Sequence, residues 1–139
     1  MDLLESVGYA LAYAAVGIVV LGVGYAALDL LTPGHLGKHI MAGSLNAAVV
    51  AASGILGLGF IVWAAIWHHA DAAFGEALSW TIVFGLLGVV VQAVAFRLVD
   101  LVMPDDLAAT AMSTTFHPAT LVAAATQISV SLVGVACIS

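Results

Sequence analysis

Residues 40–67 read IMAGSLNAAVVAASGILGLGFIVWAAIW, 28 positions without one Asp, Glu, Lys, Arg or His. An α-helix needs about 20 apolar residues to cross the hydrocarbon of a bilayer, so this stretch is long enough to span it. Three further windows share the property: 6–28, 77–96 and 118–139. Strands of a transmembrane barrel would be nearer ~10 residues and would alternate polar with apolar, which these windows do not. The sequence predicts an all-α integral membrane protein with four transmembrane helices.

The composition agrees. The chain has 139 residues, 64% hydrophobic and only 7% charged, with mean hydropathy +1.22. Soluble domains carry roughly 25% charged residues, so the lipid bilayer is the expected solvent and first partner, around a single domain over 1–139. The flank Met1-Asp-Leu-Leu-Glu5 is acidic where a secretory leader would be basic, so the first window is expected to stay as helix 1. A formal charge of −6 leaves nothing to neutralise phosphates and argues against nucleic acid. One cysteine, Cys137, rules out an internal disulfide and a cysteine-based zinc site.

Prolines set the boundaries. Helix 1 is predicted over about Val7–Leu31, stopped at Thr32-Pro33-Gly34, because proline lacks an N–H and disfavours helix just before it. A polar connector over 33–43 holds His35, Lys38 and His39. Helix 2 starts near Ser44 or Asn46, either of which can cap it, and ends near Trp67. His68, His69, Asp71 and Glu76 form the middle connector. Helix 3 covers about Ala77–Met103 and stops at Pro104. Asp105 and Asp106 open the last connector, and helix 4 starts near Pro118, a favoured first helical position.

A shift of 71 residues lays Asp29 on Asp100, Pro33 on Pro104, Met41 on Met112 and Ala48 on Ala119, with Asn46 falling on His117. The pattern reads as an internal repeat, copy one over about 7–67 and copy two over about 77–138. Each copy crosses twice, so the two tandem hairpins are expected to be parallel repeats about an axis along the membrane normal. Lys38 and Arg97 fall at the same end as both Asp-x-x-x-Pro units. The positive-inside rule then favours N-out and C-out. Trp63, Trp67 and Trp80 gather at the other end, suited to a headgroup belt.

With the repeat in view, the chain resembles the small YjfL-like inner-membrane proteins of bacteria. The resemblance rests on Leu31-Thr-Pro33, Asn46-Ala-Ala48, Arg97-Leu98 through Met103-Pro104, and the tail Val135-Ala-Cys137-Ile. It covers nearly the whole chain and implies a multi-pass protein of the bacterial plasma membrane. No biochemical activity is established for that family, so the resemblance carries over no catalytic residue. The second copy of the family pattern usually has Asn-Thr-Ala where this sequence has His117-Pro118-Ala119. A role for a symmetric pair of asparagines does not carry over.

The main polar set is Asp29, Asn46, Gln92, Arg97, Asp100 and His117. Ionisable groups inside a bilayer are expensive and usually paired. Arg97 and Asp100 are three apart on one helix and can pair, and the repeat would bring Asp29 towards the same guanidinium. All but Gln92 lie near the ends of apolar runs, where side chains snorkel. The favoured expectation is a structural clamp in an accessory or scaffold membrane protein. The alternative is a small ion or proton channel or transporter with Asp29, Arg97 and Asp100 at a cytoplasmic mouth; one protomer has little room for a pore, so a homo-oligomer or another membrane protein is the expected partner. His68, His69 and Asp71 are weak metal candidates, since closed sites need about four ligands. His35-x-x-x-His39 ranks equally low after its Pro-Gly turn. No phosphate loop or other enzyme signature is present, and no cofactor is expected.

Overall fold

The computed structural model describes residues 2–102 and 107–138, and all regular structure among them is helical. Four helices are long and apolar enough to cross a membrane: α1 (Leu3–Leu31), α3 (Leu45–His68), α4 (Phe74–Val102) and α6 (Ala119–Ile138). Two short helices, α2 (Leu36–Met41) and α5 (Leu107–Met112), sit in the connectors at one end. We call this the α2/α5 end. Pro104, expected to stop the third span, lies outside the described residues together with Met103, Asp105 and Asp106. Helices α1 and α4 start three or four residues earlier than the charge-free windows suggested, because Glu5 and Glu76 fit the first turn, where the helix dipole favours acids.

The 33–43 connector is more ordered than its polar sequence implied. Leu36 is wholly buried in an apolar cluster with Leu28, Ala47, Val50, Ala51, Phe96 and Ala123. Burying that leucine pulls the segment back against the bundle, and the turn after it closes as α2. The first free N–H of α2 is satisfied from outside, since Leu36 N donates to Asp29 Oδ1 at 2.5 Å. Gly34 and His35 both take positive φ, 81° and 67°. Glycine does this freely, whereas histidine is strained there.

Helix α3 is the centre of the bundle. It packs most heavily on α6 and also touches α1 and α4, while α4 contacts both α1 and α6. Its inward faces are lined by small residues, including Ala47, Ala51, Gly54, Gly57, Ala64 and Ala65. Large side chains such as Leu11, Ile18, Leu87 and Val133 point outward. This is the inverse of a soluble core. Between lipid-bathed helices, association comes from close packing and interhelical hydrogen bonds, and both favour small residues inside.

Two apolar clusters stack along the bundle axis. One gathers around Leu36, Val50 and Phe96, the other around Val20, Leu58, Val62 and Val89. At the end opposite α2 and α5, Trp63 stacks on Trp67, while His69, Trp80 and Phe84 form a second stack. Tyr9 lies flat on Phe74, centroids 4.0 Å apart. These rings occupy the belt position that the tryptophans suggested.

Candidate functional site

Polar side chains collect in two layers. The first caps the α2/α5 end and is organised by Asn46, which is wholly buried. Its Nδ2 donates to the carbonyls of Ser113 (3.0 Å) and Thr115 (2.8 Å). Its Oδ1 accepts from His117 N (3.0 Å) and Thr120 Oγ1 (2.9 Å). An amide has two donor and two acceptor positions, and here all four are used. Ser44 works beside it. Its Oγ accepts from Ala47 N, capping α3, and donates to Ser113 O at 2.8 Å. The start of the second span is thereby tied to the connector before the fourth. His117 adds a turn of its own, its Nδ1 accepting from Ala119 N at the head of α6.

The predicted set divides in this structure. Asn46 and His117 come together, through the His117 backbone N–H rather than its ring. Arg97 Nη1 stands 3.7 Å from Asp100 Oδ2, as the three-residue spacing allowed, with the arginine largely exposed. Asp29 does not join that guanidinium. Its carboxylate turns to its own connector, 3.2 Å from His35 Nδ1 and bonded to Leu36 N. Short-range geometry wins because α2 folds back directly over the end of α1. Pro33 follows the C-cap Thr32, whose hydroxyl donates to Leu28 O.

The second layer lies between the two apolar clusters, near the middle of every span that contributes to it. Gln92 of α4, 2% exposed, donates from Nε2 to Ser131 Oγ at 2.6 Å. Gln127 of α6, 1% exposed, accepts from Ser53 Oγ of α3 at 2.9 Å. Ser131 Oγ in turn donates to Gln127 O, and Ser53 Oγ also contacts Val50 O. Gln92 Oε1 and Gln127 Nε2 find no partner. A gap beside Gln92, lined by Gly24, Leu28, Leu58 and Val89, is too tight for a water molecule. Ser53, Gln127 and Ser131 were not picked out by sequence reasoning, and neither were Ser44, Ser113, Thr115 and Thr120 as partners of Asn46. The recoverable signal was a glutamine in each of two charge-free windows, at a depth where polar side chains need company.

This half-paired layer carries a prediction. Gln92→Leu is expected to change stability by no more than about 1 kcal/mol, because interhelical hydrogen bonds in bilayers average near ~0.6 kcal/mol and one atom of this amide is unpaired. A denaturant titration in micelles checks it. A loss several times larger would mean that the amide has partners beyond Ser131.

At the opposite end, His69 Nδ1 lies 2.9 Å from Ala65 O and its ring stacks on Trp80, centroids 5.3 Å apart. Among the described residues no three of His, Cys, Asp and Glu gather around one point. The set of His68, His69 and Asp71 therefore forms no such group.

A bundle that buries glycine, alanine, serine and glutamine while exposing leucine, valine and tryptophan defines a multi-pass membrane protein. Comparison of the sequence with known families gives the same class. The chain belongs to the family described as Domain of Unknown Function (DUF350), which matches residues 2–138. It is 33% identical over 128 residues to a UPF0719 transmembrane protein of Mycolicibacterium paratuberculosis (strain ATCC BAA-968 / K-10), covering 91% of this chain and 84% of that relative. No solved structure matches it.

Proposed function

We propose that this protein is a non-enzymatic accessory or scaffold component of the bacterial plasma membrane, close to the YjfL-like proteins. The observation that carries the reading is the Asn46 clamp, with its four hydrogen bonds to the 113–120 segment. Such a network fixes two connectors against each other and leaves no polar group of that amide free for a solute. The tight gap beside Gln92 supports a closed bundle rather than an open path.

The same proposal takes the fold as a tandem duplication, N-out and C-out. Its support is the spacing of the elements: α1 and α4 begin and end 71 residues apart, and so do α2 and α5. The packing departs from an exact dyad, since α3 lies against α4 without comparable contact between α1 and α6.

A second reading, a small ion or proton channel, draws on one observation: the unpaired Gln92 Oε1 and Gln127 Nε2 near the middle of the bundle. Proton and potassium flux into proteoliposomes separates the two. Under the scaffold reading, flux does not exceed that of protein-free vesicles, and Asp29→Asn and Asp100→Asn change only stability. Flux from the parent protein that either variant alters while folded would overturn it in favour of the channel.

A further inference from the structure

We propose that a groove between the last turns of α1 and α4 holds one phospholipid with a free ammonium, phosphatidylethanolamine, its phosphate on Arg97 and one acyl chain along the groove. The inference goes beyond the scaffold reading and does not depend on it. Leu31 of α1 and Ala93, Val94, Leu98 and Leu101 of α4 line the groove with Arg97, around a volume of about 320 Å³. Leu31 is the last residue of α1, and Leu101 stands next to the end of α4, so the mouth opens at headgroup level. From Leu101 down to Ala93 the groove runs about 12 Å, at 1.5 Å per helical residue. One leaflet supplies about 15 Å of hydrocarbon, half of the ~30 Å bilayer core. An acyl chain needs no more than that depth, whereas a helix from a second copy would need a groove along the whole span.

Arg97 gives the groove its chemistry. It is one of only two Lys and Arg residues in the chain, and its side chain is 57% exposed on the groove wall. A cation on a lipid-facing wall is expensive unless it meets an opposite charge. Its Nη1 stands 3.7 Å from Asp100 Oδ2, longer than a hydrogen bond. Because Asp100 lies one turn further along α4, the pairing aims the guanidinium towards the helix end, the direction in which arginine snorkels to the headgroups. A guanidinium carries five N–H donors in a fork that matches a phosphate.

Charge selects the headgroup. The chain is acidic, with a formal charge of −6, and Asp29 and Asp100 both sit at this end. Asp29 is held by His35 Nδ1 and Leu36 N. A lipid with a net negative charge meets this field unfavourably. A zwitterionic one sets its phosphate on Arg97 and its ammonium beside Asp100, matching both members of the pair. An ionised carboxylate offers about four acceptor sites, so Asp100 can serve the guanidinium and the ammonium together. A trimethylated headgroup has no N–H to donate there.

The test adds phosphatidylethanolamine, phosphatidylglycerol or phosphatidylcholine, with identical acyl chains, to the delipidated full chain in micelles. Native mass spectrometry counts the lipid held by each chain. The parent is expected to hold one phosphatidylethanolamine, at least about tenfold more tightly than either other lipid, the scale of one hydrogen bond to a charged group. Arg97→Gln should weaken binding by a similar factor. Val94→Trp, at an exposed groove residue, fills the groove and should lose the lipid. Leu132→Trp, at an equally exposed residue of α6 outside the groove, should keep it. The lipid preference is read on the parent alone and so stands apart from the folding of any variant. No retention by the parent, equal retention of the three lipids or a preference for another of them overturns the proposal. So does retention that Arg97→Gln or Val94→Trp leaves intact. A parent dimer that Val94→Trp splits would give the groove to a second copy and overturn it as well.

Discussion

Asn46→Ala is expected to destabilise the protein by about 2–4 kcal/mol. The size follows from what remains behind. Ser113 O keeps the Ser44 hydroxyl, and Thr115 O keeps the Ser113 hydroxyl, so the carbonyls are not wholly orphaned. His117 N and Thr120 Oγ1 lose their shared acceptor; the buried Thr120 hydroxyl left unpaired costs about 1–3 kcal/mol, and the part-buried His117 N–H adds a smaller loss. Asn46→Asp should recover little. It keeps the acceptors but sets a negative charge against two carbonyl oxygens that formerly accepted from Nδ2. Reversible unfolding in mixed micelles measures both. A change below about 0.5 kcal/mol for the alanine variant, the size typical of surface substitutions, would mean that water replaces the amide and the clamp is not one.

Gly57→Val and Gly59→Ala, two residues apart on α3, should behave oppositely. A Cβ on Gly57 would stand 2.3 Å from Ser131 Oγ, 2.5 Å from Gln92 Nε2 and 3.0 Å from Ser131 Cβ. Serine is short and its Cβ is fixed to the backbone of α6, so relief requires the helices to part. Overpacking of this kind costs about 1–3 kcal/mol, occasionally more, and separation of α3 from α6 also breaks the Ser53–Gln127 bond. Valine should exceed alanine. A Cβ on Gly59 meets nothing within 4 Å, and Gly→Ala in a helix interior gains up to about 1 kcal/mol. The pair is read in one thermal-denaturation experiment. Equal behaviour at the two positions would refute the close contact of α3 with α6.

Much of this architecture was legible in the sequence, because the bilayer imposes one coarse requirement that charge-free length records directly. Leu31 marks the end of the first span where Pro33 said it would, and Ser44 caps the second. The short helices were not legible. Six residues give no periodicity to detect, and α2 depends on Leu36 joining a cluster drawn from four other helices. The polar set was legible as residues but not as pairs. The repeat assigned Asp29 to the Arg97 guanidinium, whereas the fold-back of α2 brings His35 and Leu36 N to it instead. Ser53 and Ser131 carried no signal, because serine in an apolar helix satisfies itself on the preceding turn as readily as it meets a neighbour.

Helix α3 also sets an order of events during synthesis. The partners of Asn46 and Ser53 lie 67 to 74 residues further along the chain. At about 5–20 residues per second, the first hairpin waits several seconds in the membrane before they emerge. Until α4 (Phe74–Val102) emerges, the hairpin's most polar face has only α1 beside it, and α1 offers that face no side-chain amide. The nascent hairpin is thus a half-finished surface that must be sheltered by the insertion machinery or by lipid headgroups. The second hairpin completes it on arrival.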